Sequence, residues 1–206
     1  MNEVRAVLWD MGGVLCRVDE SPVWDAWQQH TGINGVDLHR ELYDRGLKLE
    51  FDCGLKSPGG VALFLATRWE VDVSSADWRR IWGLAVAPEP EVDALAAAVA
   101  AGTPCALAST TDKVHHDKLA NELKCLPAFK AQVVSYKVGH VKPHPNFYRA
   151  CLDALGTEAR HTLFIDDRLE NVLGAVDAGM QGVRFTSIEE LRKELARVGL
   201  ATTTDQ

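Results

Sequence analysis

Apolar residues in this chain fall into short unbroken blocks, separated by longer stretches in which they recur every three to four positions. The first block is Val4-Arg5-Ala6-Val7-Leu8-Trp9. Four others are Pro104–Ala108, Ala131–Val134, His161–Ile165 and Gly182–Phe185. Short, nearly continuous apolar runs of this kind are the signature of buried parallel strands. The intervening periodicity predicts helices over about 112–124, 144–156, 169–179 and 187–198. The alanine-rich run Val92–Ala101 is another good helix former, stopped by Gly102. Strands alternating with helices predict an α/β fold with a parallel sheet and helices on both faces.

Residues 16–86 break that rhythm. Helical patterns there cover roughly 22–31, 37–47, 58–68 and 75–84, with turns at Thr31-Gly32, Gly46 and Ser57-Pro58-Gly59-Gly60. This predicts a helical insert placed after the first strand. The expected division is a core domain of 1–15 and 87–206 and a helical cap of 16–86. The insert carries Trp24, Trp27, Trp69, Trp78 and Trp82, which a small helical bundle would bury. The sequence does not separate those that build a core from any that face a ligand. No internal repeat or low-complexity tract interrupts the chain.

Composition narrows the function classes. The chain has 206 residues, with 29 acidic against 22 basic, and a formal charge of -7. That balance argues against a nucleic-acid surface, which needs a basic stripe. A small anionic substrate remains compatible, because a few local donors overcome a weak overall field. No apolar run reaches the ~18 residues of a membrane span. No basic segment precedes a signal-like apolar stretch near the first strand, so a cytoplasmic location is expected. The five cysteines, Cys16, Cys53, Cys105, Cys125 and Cys151, form no Cys-x-x-Cys pair and read as reduced thiols. Cys16, close to the first strand's end, reads as a small apolar filler.

The chemistry concentrates at strand ends. Asp10 ends the first strand and is followed by Met11-Gly12-Gly13. A carboxylate there lies where open α/β sheets bind ligands, and the glycines permit a sharp turn. An Asp in this position is often a helix cap. With the later segments in order, it reads instead as a nucleophile for phosphorus. The fourth apolar run leads into Asp166-Asp167-Arg168-Leu169-Glu170-Asn171. Three carboxylates in one cleft repel each other, and a hard divalent cation, Mg²⁺, resolves the conflict. Either acid of the pair also suits a cap for the following helix. Ser109-Thr110-Thr111 ends the second core strand, where hydroxyls and backbone N–H groups can donate to a phosphoryl oxygen. Lys142, before Pro143, places a cation on a rigid loop that would neutralise phosphoryl charge. His140 and His144 read as loop residues, because Pro143 and Pro145 forbid a regular helix across them. His115 and His116 read as exposed helix residues.

These four segments, from Trp9 to Gly179, resemble the motifs of the haloacid dehalogenase-like superfamily. The resemblance implies a Rossmann-like sheet of strand order 5-4-1-2-3, with a helical cap after strand one. It implies Asp10 as nucleophile and Mg²⁺ ligand, the backbone carbonyl of Gly12 and the Asp167 side chain as further ligands, and Asp166 as support for the metal's water shell. Ser109, Thr110, Lys142 and Asn171 would serve the phosphate. Asp-Asp-x-x-x-Asn with a small helical cap is most similar to sugar-phosphate phosphatases and to the phosphatase domain of soluble epoxide hydrolases. The partner is then a small phosphorylated metabolite, and the chain is expected to act as a monomer or homodimer.

One position departs from that pattern. Phosphatases of the family usually carry a second Asp two residues after the nucleophile, as general acid and base; here it is Gly12. Acid–base help worth roughly 10²–10⁴-fold is absent from that position. A substrate with a good leaving group, a proton carried by water, substrate or cap, and a non-catalytic phosphate binder are the alternatives. A dehalogenase, in which Asp10 attacks carbon, is a further enzymatic reading, weakened by the Asp166-Asp167 pair. Arg17, His39, Arg45 and Lys48 are substrate contacts only by type, with solvated surface as their default.

Overall fold

Seven strands and eleven α-helices follow one another along residues 3–200, which the computed structural model of the chain describes. Strand β1 (Ala6–Trp9) leads to a short strand β2 (Cys16–Val18). Five helices come next: α1 (Ser21–Thr31), α2 (Gly35–His39), α3 (Leu47–Asp52), α4 (Pro58–Trp69) and α5 (Ser75–Trp82). Strand β3 (Val86–Pro88) leads back to helix α6 (Pro90–Ala100). The alternation then resumes with β4 (Cys105–Ser109), α7 (Lys113–Glu122), β5 (Ala131–Val134), α8 (Ser135–Val138), α9 (Pro145–Leu155), β6 (Thr162–Asp166), α10 (Leu169–Asp177), β7 (Gln181–Arg184) and α11 (Ile188–Arg197).

Five strands form one parallel sheet in the order β5-β4-β1-β6-β7. Counted among themselves along the chain, they run 5-4-1-2-3 from the opposite edge, the order the family resemblance implies. Every residue of β1, β4 and β6 is buried. Side chains alternate between two cores, as the strand period demands. Val7, Trp9, Leu107 and Ile165 face one, with α6 and α11. Ala6, Leu8, Ala108 and Phe164 face the other, with Phe147 and Tyr148 of α9. Each fully buried Leu or Phe contributes roughly 1.5–3 kcal/mol, which is why the strands read so clearly as apolar runs.

Central β1 also fixes the site. Trp9 pairs with Leu107 on one side and Ile165 on the other. One residue further on, Asp10 is therefore level with Ala108 and Asp166, with Ser109 just beyond. The register alone brings the three strand-end segments together.

The structure corrects several details. Strands β2 and β3 form an antiparallel ribbon through which the chain enters and leaves the helical insert. Only the first residue of each is buried, so no apolar block marked them. The helix expected over 37–47 is broken: α2 runs into a π-helical turn at Arg40–Asp44, and Gly46 then reverses the backbone before α3. The five tryptophans pack on one another and on their neighbours. Trp27 lies 5.8 Å from Trp69 and 6.3 Å from Trp78, and Trp78 stacks on Trp82 at 5.2 Å between ring centres. His115 and His116 are buried, against expectation. His115 stacks on Trp82 and contacts its carbonyl through Nε2 at 2.9 Å. His116 sits between the Tyr136 hydroxyl and Gln132 Oε1. Helix α7 is packed on two sides, and a polar pattern does not reveal that. Among the described residues no helix is long and apolar enough to cross a membrane.

Candidate active site

At the carboxyl ends of β1, β4 and β6 opens a cleft of about 470 Å³. Asp10, Gly12, Gly13, Thr110, Lys142 and Asp167 line its floor, and Tyr43, Lys48 and Asp52 of the helical insert face them. Asp10, Asp166 and Asp167 converge there, each offering a carboxylate oxygen within 4.8 Å of the others.

One ammonium stands against the three carboxylates. Lys142 Nζ lies 2.7 Å from Asp10 Oδ1 and 2.6 Å from Asp166 Oδ2, and donates to the Ala108 carbonyl at 3.0 Å. Its backbone N–H donates to the Thr110 hydroxyl, which ties the Lys142 loop to the end of β4. The Lys142-Pro143 peptide is cis. Burial opposes the charge of Lys142, but Asp10 and Asp166 overrule it and hold its pKa above the ordinary value. Burial pushes Asp10 up to about 7; Lys142 resists this and Asp166 reinforces it. Burial and the neighbouring Asp166 raise Asp167 as well.

The two acids after β6 have different surroundings. Asp166 is fully buried and its oxygens are occupied. Oδ2 accepts from Lys142, Oδ1 accepts from the Arg168 N–H at 2.9 Å, and the Asn171 amide donates to both. Asp166 thus also holds the turn into α10. Asp167 Oδ1 is buried with no hydrogen-bond partner among the described residues. A buried, orphaned carboxylate oxygen is costly unless something fills the gap. Oxygen donors only, three of them anionic and one unpartnered, form a set that fits a hard divalent cation.

Ser109 differs from the others. Its Oγ is buried and also without a partner, yet it lines an adjoining cavity of about 150 Å³ with Gly12 and Thr110 rather than the main cleft. Asn171 reaches the cleft, but its amide is spent on Asp166. Of the candidate contacts in the insert, Arg17 pairs with Glu89, Arg45 pairs with Glu41, and His39 packs against Trp24 and Tyr43. None of these three lines the cleft. Lys48 does. Sequence reasoning left it with solvated surface by default and passed over Asp52. The only local signal was their spacing of four on a helix, which surface pairs share. None of the five tryptophans lines the cleft. Cys16 is buried, and burial beside Asp10 pushes its thiol up to about 12, so it acts as filler rather than nucleophile.

The chain belongs to the haloacid dehalogenase-like hydrolases: that family's sequence pattern matches residues 4–179. Among curated relatives, it is 32% identical over 93 residues to flavin mononucleotide hydrolase 1 of Arabidopsis thaliana, covering 45% of this chain and 38% of that protein. It is 24% identical to hexitol phosphatase B of Escherichia coli, covering 99% of this chain and 95% of that protein. The chain spans 38%, 24% and 36% of the length of three of the curated relatives it matches. Among solved structures, a haloacid dehalogenase family enzyme of Bacteroides thetaiotaomicron superposes with a TM-score of 0.83 at 20% identity, over 94% of this chain and 99% of that one. L-2-haloacid dehalogenase of Xanthobacter autotrophicus gives a TM-score of 0.63 at 21% identity, over 96% and 84%. At these identities the structures speak for the fold.

Proposed function

We propose that this chain is a Mg²⁺-dependent phosphomonoester hydrolase acting on a small phosphorylated metabolite, with a sugar phosphate as the expected substrate. The observation that carries the reading is the convergence of Asp10, Asp166 and Asp167 at one cleft, with the Lys142 ammonium in contact with Asp10 and Asp166. Asp10, Asp167 and the Gly12 carbonyl would hold Mg²⁺, with Asp166 ordering its water shell. The ion would supply neutralisation of the carboxylates and polarisation of the phosphoryl group. Solved magnesium and phosphate complexes of the Bacteroides enzyme support this by analogy, as does the name of hexitol phosphatase B.

The chain's own groups then have distinct tasks. Asp10 attacks phosphorus and forms an aspartyl-phosphate, which splits hydrolysis into two easier steps. Lys142 offsets the charge of Asp10 and of the phosphoryl oxygens. Ser109 and Thr110 donate to those oxygens; the orphaned Ser109 Oγ suits that task. Asn171 serves the same side by fixing Asp166, and through it Lys142. Residues 16–86 act as a cap that selects the substrate. Five unpaired cysteines suit a reducing, cytoplasmic setting.

Gly12 favours a second reading, a phosphate-binding protein without turnover. Dehalogenase chemistry is disfavoured, because Asp166 and Asp167 would repel a reaction that already delivers a halide. Phosphate release from a panel of sugar phosphates and an activated aryl phosphate, with Mg²⁺ and with chelator, separates the readings. Chelator-sensitive turnover that vanishes in Asp10→Asn supports the phosphatase. A folded protein that binds Mg²⁺ and turns over no ester overturns it.

A further inference from the structure

Opposite Asp10, the helical insert presents a buried charged cluster that the chemistry above leaves unused. Lys48 and Asp52 lie one turn apart on α3, with Nζ and Oδ1 2.5 Å apart. Lys48 Nζ also lies 3.6 Å from Asp112 Oδ2 and 5.8 Å from the centre of the Trp82 ring. Asp112 is saturated. It caps α7 through Oδ1 to the N–H groups of Val114 and His115, and its Oδ2 accepts from Trp82 Nε1 at 2.7 Å. Asp52 is not. Its side chain is only 10% exposed, its Oδ2 has no hydrogen-bond partner among the described residues, and it lines the same cleft as Asp10.

The position of Asp52 is fixed by a backbone contact. Gly54, at φ +73°, brings the end of α3 so close to α8 that a Cβ there would meet the Tyr136 carbonyl oxygen at 2.1 Å. The carboxyl group is therefore held over the cleft by the backbone, and Lys48 fixes its orientation.

Departure of an alkoxide from phosphorus needs a proton, and Gly12 offers none. We propose that Asp52 is the proton donor to the leaving-group oxygen, oriented by Lys48; this rests on the phosphatase reading above. As Asp10 bonds to phosphorus, the P–O bond to the alcohol breaks, and the Asp52 proton passes to that oxygen so that the neutral alcohol leaves. The Asp52 carboxylate then takes a proton from the water that attacks the phosphorus of the aspartyl-phosphate. The bond from phosphorus to Asp10 breaks, inorganic phosphate leaves, and Asp10 carboxylate and Asp52 acid are both restored. Asp52 suits the acid role because burial raises its pKa; Lys48 opposes this and Asp112 adds to it. His115, Tyr43 and Glu20 also lie around the pair, and Asp10, Lys142, Asp167 and Arg168 line the same cleft.

The experiment compares an alkyl phosphate (a hexitol phosphate) with nitrophenyl phosphate, whose leaving group needs no proton, using the whole chain with Mg²⁺. In Asp52→Asn, kcat/KM, which reports departure of the alcohol and not the later hydrolysis common to both esters, should fall roughly 10²–10⁴-fold for the alkyl ester and far less for nitrophenyl phosphate. The basic limb of the alkyl kcat/KM–pH profile should disappear, and Asp52→Glu should recover part of the loss. Equal loss of kcat/KM on both esters, or a rise in KM with kcat unchanged, overturns the proposal; the latter makes Asp52 a hydroxyl-binding residue. Should the variant fail to fold, a leaving-group series on the unaltered chain decides: a shallow dependence of kcat/KM on alcohol pKa is expected, and a steep one refutes an internal acid. Absence of turnover on either ester in the unaltered chain overturns the phosphatase reading itself, and this proposal with it.

Discussion

A methyl group on Gly13 would lie 2.5 Å from Oδ2 of Asp167. The backbone there has φ +79°, which disfavours any side chain, and the space belongs to the carboxylate. Gly13→Ala must therefore displace the Asp167 carboxylate or the backbone at residue 13. Roughly 10–100-fold weaker Mg²⁺ binding is expected, the usual cost of disturbing groups that orient a metal ligand. Calorimetric titration with Mg²⁺, alongside circular dichroism to confirm the fold, checks it. An unchanged affinity would mean that Asp167 does not hold the metal.

Lys142→Met removes the ammonium shared by Asp10 and Asp166 while keeping much of the side chain's bulk. Breaking a buried ion pair by deleting one partner costs about 3–5 kcal/mol, because the other charge is left uncompensated. Here both carboxylates are almost fully buried. The variant should unfold at lower urea, and Mg²⁺ should restore more stability to it than to the unaltered chain. Urea melts with and without Mg²⁺ measure both. Turnover should be lost even where the fold is restored, since on the proposed function Lys142 also offsets the phosphoryl charge.

The strand-end chemistry was legible in the sequence because burial announces itself locally. Asp10 and Asp166 interrupt apolar runs, and a parallel sheet with β1 at its centre leaves those interruptions side by side. Lys48 and Asp52 carried no such mark. They lie in a six-residue helix, and burial comes from α7 and from the contact of Gly54 with Tyr136, both distant in sequence. The same reason hid His115 and His116, whose cover is Trp82, Tyr136 and Gln132. The ribbon β2–β3 escaped because three-residue strands with one buried residue each have no period to detect.

His116 gives the fold a pH dependence of definite sign. Burial lowers its pKa below the ordinary histidine value, against the Gln132 contact that favours the charged form. The folded chain therefore binds this proton less readily than the unfolded chain. Its contribution to stability is complete above the unfolded pKa, near 6.5 for histidine, and is lost as pH falls through the lower folded value. Urea midpoints should decline below about pH 6.5. In His116→Gln that part of the decline should vanish, and an unchanged slope would assign it to other groups.

Magnesium binding should release a proton near neutrality. In the protein without metal, burial holds Asp10 up to about 7, with Asp166 adding to the effect and Lys142 resisting it. A metal ligand must be ionised, so an ion held by Asp10, as proposed, displaces the proton that Asp10 carries at lower pH. Apparent affinity for Mg²⁺ should therefore rise about tenfold per pH unit below that value and level off above it, as linkage to one proton requires. Titration calorimetry in two buffers of different ionisation enthalpy counts the protons directly. Close to one proton released at pH 6 and close to none at pH 8.5 is the expected pair of results. No release at the lower pH would mean that Lys142 already keeps Asp10 ionised, so that the ammonium outweighs burial and the metal arrives at a carboxylate prepared for it.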